Sequence, residues 1–191
     1  FNGNIIECDG FPAHVGSLCK VDINGEESSI AEIIGFAKNQ NILSLYDLGA
    51  KIKVGAKVTL FDEGSHISVG NGVLGRVIDA LGDPLDEGKI LDVDESWPLK
   101  GKHTNPLKKL PIQSSLDVGV RAINSLITVG RGQRLGIIAG SGVGKSVLLG
   151  MMSKYTEADI VVVGLIGERG REVGSFVKNV FSGTSREKTC I

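Results

Sequence analysis

Two short apolar runs, each breaking into a glycine-rich bend and then into helical spacing, constrain the fold of this chain more than any other feature. The first is Leu135-Gly136-Ile137-Ile138-Ala139, which leads through Gly140-Ser141-Gly142-Val143-Gly144 into a helix expected over residues 146–155. The second is Ile160 to Ile166, which leads through Gly167-Glu168-Arg169-Gly170 into helical spacing over residues 174–181. Continuous apolar runs of this length read as strands buried on both faces, because a half-buried strand would alternate. Strand, helix, strand, helix in that order predicts a parallel sheet with helices packed on it. Neither run approaches the ~20 residues that a membrane-crossing helix requires.

The preceding part of the chain obeys a different period. Ser17 to Ile23 alternates polar and apolar, Asn24-Gly25 is a hairpin signal, and short runs follow at Ser29–Ala37, Asn41–Leu45 and Lys57–Leu60. Their spacing predicts a small antiparallel β-barrel, closed or nearly closed, over residues 1–68. Val73 to Ala80 is an apolar segment running into the turn Leu81-Gly82-Asp83-Pro84. Residues 86–114 read as a long surface connection carrying Pro98, Pro106 and Pro111, with Lys100, Lys102, Lys108 and Lys109 as its solvated face. Apolar residues at Val118, Val120, Ala122, Ile123, Leu126 and Ile127 predict a helix over residues 117–128, ended by Gly130 and Gly132. The expected fold class is α/β: an N-terminal barrel over residues 1–68, then part of a parallel-sheet domain over residues 69–191.

Composition narrows the function. The 21 basic and 22 acidic residues nearly cancel, so no strongly basic face offers itself to nucleic acid. Cys8, Cys19 and Cys190 are odd in number and dispersed, and His14, His66 and His103 are isolated, which predicts free thiols rather than a disulfide framework or a zinc site. The opening Phe1-Asn2-Gly3-Asn4 carries no secretory signal pattern, and the expected compartment is the cytoplasm.

Between the first apolar run and its helix, Ala139-Gly140-Ser141-Gly142-Val143-Gly144-Lys145-Ser146 matches the phosphate-loop pattern G-x-x-x-x-G-K-[ST] except that Ala139 stands first. The residue types follow from the task of holding a polyanion. Glycines let successive backbone N–H groups turn inward, and the helix N-terminus adds unpaired donors and a partial positive charge. Lys145 supplies a mobile cation for β and γ phosphates, and the Ser146 hydroxyl suits Mg²⁺, a hard cation that prefers oxygen. The candidate ATP-binding residues are Gly140, Ser141, Gly142, Val143, Gly144, Lys145, Ser146 and Val147, with Ser146 also the metal ligand. At the end of the second run, Glu168 and Arg169 should face the same crevice, since ligands gather at the carboxyl ends of parallel strands. There Glu168 could polarise an attacking water and Arg169 could contact phosphate. An ordinary surface ion-pair cluster at a helix start fits the same spacing, and Glu172 is read as helix N-terminal charge.

These motifs carry a resemblance. Gly130 to Ile137, Ala139 to Ser146 and Val163 to Val173 resemble the flagellar and type III secretion export ATPases, relatives of the catalytic subunit of rotary ATP synthases. Leu74 to Asp79, Gly82 to Asp86, Leu116 to Ile123, Val15 to Cys19 and Ala31 to Phe36 are similar to other parts of the same proteins, with the flagellar branch nearer than the injectisome branch. The resemblance implies a RecA-like core that hydrolyses ATP with Mg²⁺, Lys145 stabilising the transferring charge, Glu168 activating water and Arg169 beside the phosphate. It implies a homo-hexamer whose sites form between subunits. It also implies contacts with stator, stalk and membrane gate proteins, chaperone–substrate complexes as cargo, and a cytoplasmic location at the inner face of the membrane. Residues 181–191 are expected to depart from the family pattern, and the isolated chain to hydrolyse ATP poorly because half the site is missing. A non-catalytic ring subunit of an F- or V-type ATPase is the first alternative, which the carboxylate at Glu168 argues against. An RNA-translocating ring ATPase is the second, which the lack of a basic, aromatic barrel face argues against.

Overall fold

The computed structural model describes residues 3–23, 25, 27–64, 66–88, 92–101, 103–140, 142–181 and 183–191. The chain divides into two compact units, residues 1–67 with 97–101 and residues 68–96 with 102–191.

In the first unit, β1 (Ile5–Asp9), β2 (Leu18–Asp22), β3 (Ser28–Ala37), β4 (Gln40–Leu45) and β5 (Val58–Asp62) form one antiparallel sheet in the order β1-β4-β3-β2-β5. The two-residue period does the sorting: Cys19 and Val21, Ala31 and Ile33, and Leu43 and Leu45 all point to one face and are buried. With Ile6 they make the core. Asn24 of the expected hairpin signal lies outside the described residues. Beside it, Gly25 takes a φ of +89 and its N–H donates to Asp22 Oδ1 at 2.6 Å. Lys38 and Asn39, both at positive φ, turn β3 into β4. The barrel expected to be closed or nearly closed is not closed: the antiparallel strands form an open sheet, with β1 paired only to β4 and β5 only to β2 among the described residues. Phe11, Ala13, Ile52 and Ala56 from the connecting segments, with Cys8 of β1 and Val58 of β5, pack against that core.

Two short strands, β6 (His66–Val69) and β7 (Glu95–Pro98), pair with each other, so the connection predicted over 86–114 contains a strand.

In the second unit the strands are minimal. β8 (Ser115–Leu116) pairs antiparallel with β9 (Val129–Gly130), flanking α1 (Arg121–Leu126). Then come α2 (Lys145–Tyr155), β10 (Val161–Val162), α3 (Gly170–Val180), a 3-10 helix (Gly183–Lys188) and β11 (Thr189–Cys190). β10 and β11 are parallel, in register Val161 to Thr189 and Val162 to Cys190. The far edge of β11 is met by residues 75–78: the Gly75 N–H donates to Thr189 O, the Ile191 N–H to Arg76 O and the Ile78 N–H to Ile191 O, at 2.7–3.1 Å. α3 buries Phe176 and Val180, four residues apart on one face, against Val77, Val163 and Ile191. α2 is wedged between this cluster, through Leu149, and a second cluster of Val118, Val120, Ile123 and Val129, through Leu148 and Met152.

Three expectations are corrected here. The helix predicted from Asp117 starts only at Arg121, because Gly119 takes a φ of +74 and passes against the backbone of Tyr155, where any Cβ would collide. Residues 135–139 are not a strand among the described residues: Leu135 is 42% and Ile138 99% exposed. Only Val161–Val162 of the run 160–166 forms ladder, and one face alone is covered, with Val163 buried while Val162 and Ile166 are 77% and 94% exposed. The cause is common to both. A parallel strand draws its bonds from neighbours distant in sequence, and apolar character cannot supply a neighbour.

Candidate functional site

The phosphate loop is made by two backbone choices. Gly142 and Gly144 stand at φ of +80 and +95, conformations a Cβ would strain. Gly144 is thereby the N-cap of α2, and no side chain caps that end. No acidic residue occupies the first turn either. Among the described residues the N-terminal N–H groups of α2 thus have no side-chain cap, and they carry the positive end of the helix dipole. Lys145 is the first helical residue and Ser146 the second, both exposed, as are Gly140, Val143 and Val147. Ser141 lies outside the described residues.

The second apolar run ends beside this loop. Gly167, at φ +72, turns the chain out of the run, and Glu168 then comes to Lys145, with Nζ and Oε1 3.8 Å apart. Both side chains keep access to solvent, 49% exposed for Lys145 and 30% for Glu168. Residues 23 apart in sequence are thus brought together as an ion pair at the mouth of an uncapped helix. Arg169 goes elsewhere. It is the N-cap residue of α3, and its guanidinium turns to Glu172 at 3.9 Å, in the first turn of that helix.

Behind the loop lies a polar cluster that the sequence did not announce. The Glu157 carboxylate accepts from the Asp117 N–H at 3.1 Å and from Arg131 at 2.8 Å. The Glu157 N–H and the Thr156 hydroxyl both donate to Asp117 O at 3.0 Å. Lys188 reaches across to Thr156 O and Ala158 O at 2.7 and 2.9 Å, placing a cation at the C-terminal end of α2. Bonds from the Gly119 N–H and the Asn124 amide hold the Asp117 carboxyl below its usual range. The pairs made by Glu157, Thr156 and Lys188, 26 to 40 positions apart, follow no period, so only the three-dimensional structure reveals them.

No group of three metal-ligating side chains occurs among the described residues. The Ser146 hydroxyl at the loop is exposed, an oxygen of the kind a Mg²⁺ arriving with phosphates would take as a protein ligand. The three cysteines are free thiols. No helix among the described residues is long and apolar enough to cross a membrane.

With the loop, the ion pair and the sheet edge in place, comparison with known proteins is decisive. Residues 119–191 match the ATP synthase alpha/beta family, nucleotide-binding domain. Over that segment the chain resembles this family. It is 46% identical to the flagellum-specific ATP synthase of Pseudomonas aeruginosa over 181 residues, covering 93% of this chain and 40% of the relative. The Bacillus subtilis flagellum-specific ATP synthase is likewise 46% identical, over 92% of this chain and 41% of its own length. Among solved structures, the assembled ATPase EscN of the enteropathogenic E. coli type III secretion system matches all of this chain and 45% of its own, at 34% identity and a TM-score of 0.84. EscN in complex with its central stalk EscO matches at a TM-score of 0.86. The chain spans about two fifths of the length of these flagellar relatives. The expected departure over residues 181–191 is corrected. The family match runs through Ile191, and those residues form the 3-10 helix and β11, with Thr189, Cys190 and Ile191 buried. The alternation of charge in Ser185-Arg186-Glu187-Lys188 hid a strand start of only two residues.

Proposed function

We propose that this chain is the nucleotide-binding part of an ATPase that energises protein export through a flagellar type III apparatus. In this reading residues 69–191 open a RecA-like phosphate-loop domain. The observation that carries it is the 3.8 Å approach of Glu168 to Lys145 at the uncapped N-terminus of α2. Gly140 to Val147 wrap the phosphates of ATP, with backbone N–H groups and the helix dipole holding charge without bulk water. Lys145 is an ammonium on a flexible stem, so an arriving phosphate competes with Glu168 for it. As Lys145 swings to the β and γ phosphates, the Glu168 carboxylate is released to orient and deprotonate a water for in-line attack. The Ser146 hydroxyl would hold Mg²⁺ brought with the nucleotide, and the ion would supply charge neutralisation at the phosphates. Arg169 acts at the phosphate only by leaving Glu172, a move its exposed position permits.

In the longer protein the site is completed between subunits of a homo-hexamer, as the assembled state of EscN suggests, and a stalk partner such as the one EscN binds fits the same scheme. Stator and membrane gate proteins and chaperone–substrate complexes are the further partners we assign, with the enzyme cytoplasmic and peripheral to the membrane. The injectisome system is the nearest other setting, supported by the structural match to EscN. A non-catalytic ring subunit has no use for Glu168, which makes that residue the test. In the full-length protein, Glu168→Gln is expected to leave magnesium–ATP binding within about twofold and to reduce phosphate release by at least about a hundredfold. Unchanged turnover would remove Glu168 from the chemistry, whereas a parent protein that binds magnesium–ATP and releases no phosphate would favour a binding-only subunit.

A further inference from the structure

The polar cluster behind the phosphate loop does something that the residues touching nucleotide do not. The segment leading into the loop, residues 134–140, makes no backbone ladder among the described residues and is largely exposed. Upstream of it, beyond the local turn bonds between Gln133 and Gly130, the last anchors to other segments are the Arg131 N–H on Ser114 O at 2.9 Å and the Arg131 guanidinium on Glu157 at 2.8 Å. Glu157 itself lies two residues past the end of α2, the helix that the loop begins. The Arg131–Glu157 pair therefore joins the chain just before the loop to the chain just after its helix, closing residues 131–157 into one ring. Lys145 lies about 16 Å away, at the other end of α2.

We infer that Arg131 and Glu157 form a clasp that positions the phosphate loop by closing this ring. The proposal rests on the nucleotide-binding reading above. At the base of the ring the clasp works beside the Arg131 N–H bond to Ser114, the Asp117 bonds to Thr156 and Glu157, and the Lys188 bonds to Thr156 and Ala158; each of those runs through a third segment, whereas the clasp joins the two ends of the ring directly. Tying both ends of a 27-residue segment reduces the conformations its middle can sample, and the middle is the loop. Each partner is about half exposed, 50% for Arg131 and 45% for Glu157, so the pair contributes little to global stability. A local restraint with little global weight is what distinguishes a positioning device from a structural prop.

The substitutions that isolate the clasp are Glu157→Gln, which keeps an oxygen to accept the Asp117 N–H but removes the charge, and Arg131→Gln. Arg131→Lys is the conservative control, since a single nitrogen of Arg131 makes the contact. Amide hydrogen exchange of the nucleotide-free chain reads the effect directly. Exchange across Leu148 to Met152, starting from the bond of the Leu148 N–H to Gly144 O, is expected to rise about two- to fivefold in the two Gln variants. The amides of β3, β4, β10 and β11 are expected to stay as in the parent chain, Arg131→Lys to stay near it, and the effect to vanish at ~1 M salt, where the screening length is ~3 Å. Unchanged exchange in α2 overturns the clasp, as does an equal rise over all of residues 115–191. Calorimetry with magnesium–ADP separates the two claims. A parent chain that binds while the Gln variants bind about two- to fivefold more weakly supports both. A parent chain that binds no nucleotide overturns the nucleotide reading, while the exchange result still decides the clasp.

Discussion

The apolar strand runs of the two units are buried with unequal success. In the five-stranded sheet, Cys19, Val21, Ala31, Ile33 and Leu43 are wholly inaccessible. In the second unit, Ile138, Val162 and Ile166, each as apolar as those core residues, stand 77–99% exposed. The difference is one of sequence distance. β3 meets β4 across a two-residue turn and β2 meets β3 across a short connection, so the three central strands bring their own partners, and β1 and β5 add to an existing edge on either side. β10 finds β11 only 27 residues later, and residues 135–139 have no ladder partner among the described residues. Antiparallel sheets are assembled from neighbours, whereas parallel sheets depend on crossovers, and their intermediate stages leave apolar edges open.

The sharpest way to break this contrast is to empty the core of the self-sufficient sheet. Leu43→Ala is expected to cost about 3 kcal/mol, because a fully buried leucine loses both its transfer energy and its packing. Urea unfolding followed by amide exchange should place that loss in β1 to β5 and leave the Val161–Thr189 ladder unaffected. A loss shared equally by both regions would show that their stabilities are not separate. A smaller effect tests the second unit. Arg76 donates to both oxygens of Asp86 at 2.9 Å, and the Val77 and Gly88 N–H groups add to it, lowering the Asp86 pKa to about 2. Since the folded value lies below the ordinary 3.8, this stabilisation is complete above about pH 4 and is lost as pH falls through 2. Asp86→Asn should therefore cost about 1–2 kcal/mol at pH 7 and almost nothing at pH 2, measured as urea midpoints of the second unit. An equal cost at both pH values would assign the effect to packing of the turn rather than to charge.

How much of this was legible follows the same division. β2 to β5 stand within one or two residues of their expected positions, since alternation and turn residues are local signals. The start of α2 and the glycine loop were equally readable, because the chemistry of phosphate binding dictates residue type at each position. α3 begins four residues earlier than its apolar spacing suggested, at Gly170, since a helix start is set by its cap and Arg169 is an inconspicuous one. β1 and β11 were missed: Glu7 and Asp9 interrupt the apolar look of the first, and the second is two residues long. The bonds of residues 75–78 to Thr189 and Ile191 could not be read at all, being pairings across more than a hundred residues. The same holds for the site. Lys145 and Glu168 were named from their motifs, but their 3.8 Å meeting, the turn of Arg169 toward Glu172 and the Arg131–Glu157 contact are products of the fold.

The central claim is that the uncapped end of α2, with Lys145 beside it, holds the phosphates of a nucleotide. Isothermal titration of the folded chain with magnesium–ADP tests it most directly, with Lys145→Ala as the control. The account predicts saturable heat for the parent chain and affinity at least about tenfold weaker for the variant, the loss expected when a charged hydrogen-bond donor is removed. Equal affinity in the two proteins, or no saturable heat from a folded parent chain, would contradict it.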